Sequence, residues 1–160
     1  MAFNQINIVT TSSSKNNLPD EVKGLIVMAR EAAEKAYAPY SEFQVGAALL
    51  LENGELFSGS NQENAAYPSG LCAERVALFY ANAKNPGVAI KHLVIVAKNK
   101  NGYVKTPISP CGACRQVMLE TEKRQTAPMQ VWLVGESTVY NIPAAIDLLP
   151  LAFVPENLTE

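Results

Sequence analysis

The chain has 160 residues, of which 48% are hydrophobic and 18% charged, a balance typical of one folded domain with its own core. The net charge is −2 with a pI near 5.5, and the lysines and arginines are scattered. Because proteins that bind a phosphate backbone carry a basic patch, this argues against nucleic acid and favours a small neutral substrate.

The sequence also lacks a membrane signal. No apolar run reaches the roughly 18 residues of a membrane span. Residues 1–6 do not show the basic and apolar regions of a signal peptide. We therefore expect a cytoplasmic protein without a membrane partner.

The N-terminal segment is polar and ends in serines, threonines and asparagines, a composition typical of a loop. Ile6, Ile8 and Val9 allow a short extra strand, but a mobile extension is the favoured interpretation. The sequence therefore predicts an extension over residues 1–18 and a single domain over residues 19–160.

Helical patterns recur along this domain. The first helix should begin at residues 19–21, where proline and negative charge suit a helix N-terminus. It should end near Ala38, because Pro39 disfavours a helical residue before it. Further helices are predicted over residues 72–83 and 111–123, with a short one over 143–149 and an irregular tail beyond it.

Five strands are predicted between these helices. Residues 43–51 and 54–60 should form a hairpin turned at Asn53 and Gly54, a pair that suits a primed turn. Residues 93–97 are continuously apolar, as in a strand buried on both faces. The last two strands are predicted over residues 129–134 and 138–142. This order predicts an α/β domain whose helices cover a central sheet of about five strands.

The cysteines indicate the chemistry. Cys111 and Cys114 lie three residues apart, so on one helical turn both sulfurs point to the same spot. Pro110 suits the first helical position, and a helix N-terminus favours the thiolate that binds metal. Cys72, the only other cysteine, also begins a helical pattern. Three cysteines are too few for a disulfide framework, whereas three thiolates with one open position are typical of a catalytic Zn²⁺, one per chain.

Residues beside the cysteines indicate how such a site would work. Within the first turn of its helix, Glu74 can reach the open coordination position and move a proton between bound water and a leaving group. Arg75 and Arg115 each follow a cysteine motif directly, and either can offset the negative charge of three thiolates on one zinc ion.

Other interpretations of these residues stay open. The cysteines can be buried core thiols, or ligands of a structural zinc completed by a fourth residue. The only histidine, His92, is the candidate fourth ligand, but its place before a buried strand predicts a surface or strand-end position. A zinc-stabilised binding module without catalysis is another alternative, and Glu74 counts against it. Three aromatic residues are interpreted as packing residues, namely Tyr67, Tyr80 and Trp132.

Two segments carry a resemblance, Cys72-Ala73-Glu74-Arg75 and Pro110-Cys111-Gly112-Ala113-Cys114-Arg115-Gln116-Val117. They resemble the zinc-dependent cytidine deaminases, and the likeness extends from residue 36 to residue 150. Cysteine as first ligand is similar to the small homotetrameric branch, since the larger branch and the nucleic-acid editors use histidine. The resemblance implies a three-layer α/β/α fold with a mixed sheet and a homotetramer acting in pyrimidine salvage.

The resemblance also implies the reaction and the substrate contacts. Zinc-bound hydroxide would attack C4 of cytidine or deoxycytidine, and the glutamate would shuttle the proton, giving uridine or deoxyuridine and ammonia. Asn61 and Glu63 would hold the ribose hydroxyls, and Phe43 would pack against the pyrimidine ring. Backbone around Ala73 would contact the pyrimidine O2 and N3. Phe153 occupies the place of a phenylalanine that closes the site of a neighbouring subunit.

Two other substrate classes stay open beside the free nucleoside. A modified cytosine nucleoside, such as an aminoacylnucleoside antibiotic, would use the same zinc site. RNA or DNA editing ranks last, because the chain has neither a basic surface nor the histidine ligand.

Overall fold

The computed structural model describes residues 11–14 and 17–158, which form a seven-stranded sheet between two helical layers. The strands are β1 (Thr11–Ser14), β2 (Gln44–Leu51), β3 (Leu56–Ser60), β4 (Ile90–Asn99), β5 (Gly102–Tyr103), β6 (Gln130–Val134) and β7 (Thr138–Ile142). The helices are α1 (Asp20–Ala33), α2 (Ala73–Lys84) and α3 (Gly112–Lys123). Short 3₁₀ turns span Tyr67–Ser69, Ala145–Leu148 and Pro155–Leu158.

The sheet is mixed. Its order is β1-β7-β6-β4-β2-β3, and β5 pairs with β4 beside this path. β4 and β6 are parallel, and the other described pairs are antiparallel. Since parallel neighbours need a crossover, the chain between them carries α3 over one face of the sheet. The predicted mixed sheet under covering helices is confirmed, with β1 and β5 in addition to the five expected strands.

Strand β4 lies at the centre of the core. Its side chains alternate, so that Leu93 and Ile95 pack on the face covered by α2 and α3. Val94 and Val96 pack on the opposite face, covered by α1. All four are at most 1% exposed, which confirms the predicted strand buried on both faces.

Helix α1 ends five residues earlier than predicted. Its last residue is Ala33, and the amides of Lys35 and Ala36 then bond only three residues back, to the carbonyls of Ala32 and Ala33. The amide of Tyr37 donates to the carbonyl of Asn61 at 3.0 Å, and the amide of Glu63 donates to the carbonyl of Tyr37 at 2.8 Å. The chain therefore leaves the helix before Pro39 and pairs with a distant loop.

The loop prediction for the polar N-terminal segment is wrong over Thr11–Ser14. These residues form β1, which runs antiparallel to β7 with Thr11 opposite Asn141. An edge strand paired through its backbone does not need apolar side chains on both faces, so the polar composition concealed it. The alternative strand at Ile6, Ile8 and Val9 lies outside the described residues.

The predicted hairpin between β2 and β3 is confirmed, but its turn is not of the primed type. Gly54 has a positive φ of 86°, whereas Asn53 does not have the positive φ that a type I′ turn requires. The Asn53 side chain instead accepts a hydrogen bond from the amide of Glu55 at 3.1 Å. The asparagine thus closes the turn through its side chain.

His92 is not the surface or strand-end residue that the sequence predicts. It lies inside β4, is 5% exposed and faces the α1 layer. The indole Nε1 of Trp132 donates a hydrogen bond to His92 Nδ1 at 3.2 Å. Within residues 11–14 and 17–158, none of the helices combines the length and hydropathy needed to cross a bilayer.

Candidate metal centre and catalytic cavity

The three cysteines come together at the starts of two helices. Cys72 is the N-cap of α2 and Cys111 is the N-cap of α3, while Cys114 lies in the first turn of α3. Pro110 is therefore not the first helical residue, as the sequence predicted, but the residue before the cap. Both helix N-termini thus deliver sulfur atoms to one point on the α2 and α3 face of the sheet.

The sulfur geometry fits one tetrahedral metal ion. Cys72 Sγ lies 3.8 Å from Cys111 Sγ, and Cys111 Sγ lies 3.5 Å from Cys114 Sγ. All three sulfurs lie within 4.8 Å of one another. A zinc ion with Zn–S bonds of about 2.3 Å places its tetrahedral sulfurs about 3.8 Å apart. The spacing and the soft donor set therefore fit zinc.

The surroundings of the thiols favour ionisation at Cys72. A hydrogen bond from the Cys114 thiol, followed by the contact with Arg75, lowers the pKa of Cys72 to about 5. The pKa of Cys114 is raised, because its thiol is hydrogen-bonded to Cys72 and because it is buried. Cys72 therefore ionises before Cys114 and offers a thiolate to a cation.

Glu74 lies beside these thiols with one oxygen unpaired. The residue is 4% exposed, and its Oε2 has no hydrogen-bond partner in the part of the chain that the structure describes. Burial raises the pKa of Glu74, and the neighbouring Cys72 adds to the effect. A buried carboxyl group with a raised pKa and a free oxygen can accept a proton and return it.

The two arginines that follow the cysteine motifs have different surroundings. Arg75 Nη2 lies 3.8 Å from Cys72 Sγ, so its charge faces the sulfur. Arg115 instead donates to the carbonyls of Pro110 and Leu148, at 2.8 and 3.1 Å, and to Ser109 Oγ at 2.8 Å. Arg75 can offset thiolate charge directly, whereas Arg115 fixes the segment before α3 to the C-terminal region.

A short backbone ladder joins the metal centre to the loop that follows β3. Gln62 pairs with Leu71 on one side, with both N···O distances between 2.8 and 2.9 Å, and with Tyr37 on the other. Leu71 directly precedes Cys72. In this extended segment, Asn61 and Glu63 lie two residues apart and share one side of the backbone. The ladder therefore fixes their distance from the cysteines.

The predicted site residues partly share one cavity of about 510 Å³, a size suited to a small molecule. Asn61, Glu63, Cys72 and Arg75 line it. Phe43 is half-buried and Ala73 is fully buried, and neither is part of the lining.

Phe153 lies on the C-terminal segment and also stays outside this lining. Its ring is 61% exposed, and its carbonyl accepts a hydrogen bond from Gln116 Nε2 at 2.8 Å. Leu151 and Leu158 on the same segment are 84% and 73% exposed. The segment thus presents three apolar side chains to its surroundings.

The cavity residues that sequence reasoning missed include Ser41 and two aromatic residues, Tyr40 and Tyr67. Tyr67 is 78% exposed and stacks edge-on against Tyr40, with ring centroids 6.3 Å apart. Tyr67 therefore lines the cavity instead of packing in the core. Tyr80 is 53% exposed but packs edge-on against Phe57, with ring centroids 5.2 Å apart, and Trp132 is buried as expected. The signal for Tyr67 was its position in a loop rich in hydrogen-bonding side chains.

Asn61 and Glu63 are both held by the backbone of neighbouring segments. Asn61 Oδ1 accepts from the amide of Val45 at 2.7 Å, and its Nδ2 donates to the carbonyl of Phe43 at 2.9 Å. Glu63 Oε2 accepts from the amides of Tyr40 and Ser41, and its Oε1 accepts from the Ser41 hydroxyl. The hydrogen bond from Ser41 is the main cause of the lowered pKa of Glu63.

Comparison with known proteins places this geometry in a family. Residues 20–129 match the family model of the cytidine and deoxycytidylate deaminase zinc-binding region. The cytidine deaminase of Sporosarcina psychrophila is 42% identical over 140 residues, covering 87% of this chain and 96% of the relative. That of Halalkalibacterium halodurans is 43% identical over 138 residues, covering 85% and 96%.

Solved structures agree with the sequence matches. The crystal structure of cytidine deaminase from Burkholderia pseudomallei superposes with a TM-score of 0.68 at 46% identity, covering 82% of this chain and 98% of the other. Cytidine deaminase from Mycobacterium tuberculosis gives 0.66 at 32% identity, covering 84% and 98%. The resemblance in the cysteine motifs is thereby confirmed, and the chain belongs to the cytidine and deoxycytidylate deaminase family with its zinc-binding region.

Proposed function

We propose that the protein is a zinc-dependent hydrolase that deaminates cytidine and deoxycytidine to uridine and deoxyuridine, with release of ammonia. The observation that carries this proposal is the buried carboxyl group of Glu74 beside three converging thiols, with its Oε2 unpaired among the described residues. The cavity that reaches Cys72 also contains an amide and a carboxylate, which suit a hydroxylated ligand. The relatives named cytidine deaminase support the same reaction.

Cys72, Cys111 and Cys114 would hold the zinc ion, since their sulfur spacing fits tetrahedral coordination. Zinc bound there supplies the activation of water that hydrolysis at neutral pH requires. Arg75, 3.8 Å from Cys72 Sγ, offsets part of the negative charge of the thiolates. Arg115 holds the residues before α3 in place, which positions Cys111.

Glu74 moves the proton. Its carboxylate accepts the proton that the attacking water loses and delivers it to N3 of the pyrimidine. It then carries the proton of the new C4 hydroxyl to the amino group, so that the C4–N bond breaks, the C4 carbonyl forms and ammonia leaves. The raised pKa of this buried group suits both halves of that exchange, because it lies closer to neutral pH than the pKa of an exposed glutamate. The low exposure of Glu74 keeps bulk water from competing for the proton.

The remaining residues bind and orient the nucleoside. Asn61 and Glu63 hold the sugar hydroxyls from the wall of the cavity. Phe43 contacts the pyrimidine ring, and backbone around Ala73 contacts its O2 and N3. Phe153 closes the site of a neighbouring subunit, as its exposure on the C-terminal segment suggests.

We infer a cytoplasmic homotetramer that acts in pyrimidine salvage on free nucleosides rather than on nucleic acid. Free thiols at all three cysteines suit a reducing compartment. The exposed apolar side chains of Leu151, Phe153 and Leu158 support subunit contacts by the C-terminal segment. The division into an extension over residues 1–18 and a domain over residues 19–160 remains a prediction.

The test is turnover of cytidine, followed as loss of its ultraviolet band, with and without prior removal of metal by a chelator. The purified protein should consume cytidine, should stop after chelation, and should recover when zinc is restored. Lack of turnover by the zinc-loaded protein, tested on cytidine and deoxycytidine, would contradict the proposal.

A further inference from the structure

We propose that Ser41 is a positioning residue that sets the orientation of Glu63 and Phe43 together, and so determines how strongly the site recognises the sugar hydroxyls. The inference rests on the proposed function, because it assigns the means by which that site selects a nucleoside. Ser41 lies in the loop between α1 and β2 and lines the same cavity as Glu63 and Cys72.

The hydroxyl of Ser41 links two segments of the cavity wall. It donates a hydrogen bond to Glu63 Oε1, while its oxygen accepts one from the amide of Phe43 at 3.1 Å. The amides of Tyr40 and Ser41 donate to Glu63 Oε2 at 2.9 and 3.3 Å. Since Ser41 Oγ has one proton and accepts through its lone pairs, both contacts form at once.

This arrangement leaves Glu63 with a defined remaining capacity. An ionised carboxylate has about four lone-pair positions, and the contacts with Tyr40 and Ser41 use three of them. One position remains among the described residues for an outside donor. Asn61 uses one of its two amide protons on the carbonyl of Phe43 and so keeps one donor. The remaining acceptor position of Glu63 and the remaining donor of Asn61 lie on the same side of the backbone. Together they match a pair of neighbouring hydroxyls.

The backbone around Ser41 depends on these contacts. The next residue, Glu42, has a φ of 54°, a region that residues other than glycine seldom adopt. Its amide donates to the carbonyl of Ala38 at 3.1 Å, which closes the loop. The hydrogen bonds from Tyr40 and Ser41 to Glu63 favour one arrangement of the loop. This arrangement sets the position of the first residues of β2. Removal of the Ser41 hydroxyl releases Glu63 Oε1 and the amide of Phe43 together.

The test compares Ser41→Ala with Ser41→Thr, which keeps the hydroxyl, in a cytidine turnover assay. Uridine and 2′,3′-dideoxyuridine, which lacks the neighbouring 2′- and 3′-hydroxyls, serve as competitive inhibitors. For Ser41→Ala we expect the KM for cytidine and the inhibition constant of uridine to rise about 3- to 10-fold, the size of one lost hydrogen bond. The inhibition constant of 2′,3′-dideoxyuridine should change less than 2-fold, kcat should change little, and Ser41→Thr should recover most of the loss.

The matched control is Ser69→Ala. Ser69 is exposed, lies outside the cavity lining, and its hydroxyl has no hydrogen bond to a described residue, so this variant should behave as the unmodified chain. The inference is overturned if Ser41→Ala weakens both inhibitors equally, if it changes neither, or if Ser41→Thr fails to recover uridine binding. Failure of the proposed function is distinguished by the unmodified chain, which would then not consume cytidine at all.

Discussion

Arg75 and Arg115 occupy equivalent positions after the two cysteine motifs, yet they do different things. Arg75 faces the Cys72 sulfur at 3.8 Å, whereas the Arg115 guanidinium donates hydrogen bonds to Ser109, Pro110 and Leu148. Sequence spacing treats the two arginines as equals. The difference arises because each guanidinium bonds to whatever the fold brings within reach, and only the folded chain determines that.

For Arg75→Ala we expect zinc affinity to fall about 10-fold or more, because the cation that offsets the thiolate charge is lost. Zinc affinity is measured by competition with a chromophoric chelator. Arg115→Ala is the matched variant, and it should mainly lower the free energy of unfolding, by about 1–3 kcal/mol. The assignment is wrong if Arg115→Ala loses more zinc affinity than Arg75→Ala.

At the residue scale, the sequence predicted which residues carry the chemistry better than it predicted which side chains contact each other. Short-range spacing on helices is enough to bring Cys111 to Cys114 and to put Glu74 near Cys72. Partners across the fold, such as Ser41 for Glu63, follow from loop pairing that no local pattern reveals. For Tyr67, the polar loop is a signal of a binding surface, but its contact with Tyr40 follows only from the fold.

Two glycines of the hairpin allow helices α1 and α2 to pack closely on the strands around the site. A Cβ at Gly46 would lie 1.9 Å from the carbonyl oxygen of Ala29, so α1 packs directly on the backbone of β2. A Cβ at Gly59 would lie 2.8 Å from the carbonyl oxygen of Ala73 and 2.7 Å from the amide of Ala77. The first turn of α2, with Cys72 and Glu74 beside it, is therefore seated against Gly59.

Gly59→Ala should push the start of α2 away from β3. We expect a loss of about 1–3 kcal/mol in the free energy of unfolding and a fall in zinc affinity, because Cys72 moves with the helix. Gly24→Ala is the control, since Gly24 lies in α1 with nothing within 4 Å of its Cβ position. That change should stabilise the chain by about 0.5–1 kcal/mol and leave zinc affinity unchanged. Urea unfolding measures the stability, and chelator competition measures the zinc affinity. Normal zinc affinity in Gly59→Ala would contradict the account.

At the element scale, the existence of helices and strands was easier to predict than their ends. Periodicity over α2, α3 and β4 reflects burial on one or two faces, which is a local property of the sequence. Just after the end of α1, the amide of Tyr37 bonds to the carbonyl of Asn61, a contact between distant segments. β1 was missed for a related reason, since its pairing with β7 depends on backbone groups rather than on an apolar pattern.

Across the whole molecule, helix α1 meets the sheet at a buried histidine. His92 Nε2 lies 3.5 Å from Glu21 Oε2 of α1, while Nδ1 accepts the Trp132 proton. Burial, then the nearby Lys91, lowers the pKa of His92 from its ordinary value of 6.5, against the opposing effect of Glu21. The folded chain thus favours the neutral imidazole, which keeps Nδ1 free to accept from the indole.

The sign of the pH dependence follows from this lowered pKa. The unfolded chain takes up a proton at His92 more readily, so the contribution to stability is present above about pH 6.5 and is lost as the pH falls. For His92→Gln, which keeps an acceptor for Trp132, we expect a smaller fall in the free energy of unfolding between about pH 7 and pH 5. Urea unfolding of both chains at several pH values measures this; identical slopes would show that His92 does not contribute.

The central claim is that three thiols hold zinc beside a glutamate that moves the proton, and Glu74→Gln tests it most directly. Zinc content and cytidine turnover are measured on the unmodified chain and on this variant, which keeps the size of the side chain. We expect about one zinc per chain in both proteins and a loss of turnover of at least about 100-fold in the variant. A variant that turns over cytidine at an unchanged rate, or an active unmodified chain without zinc, would contradict the account.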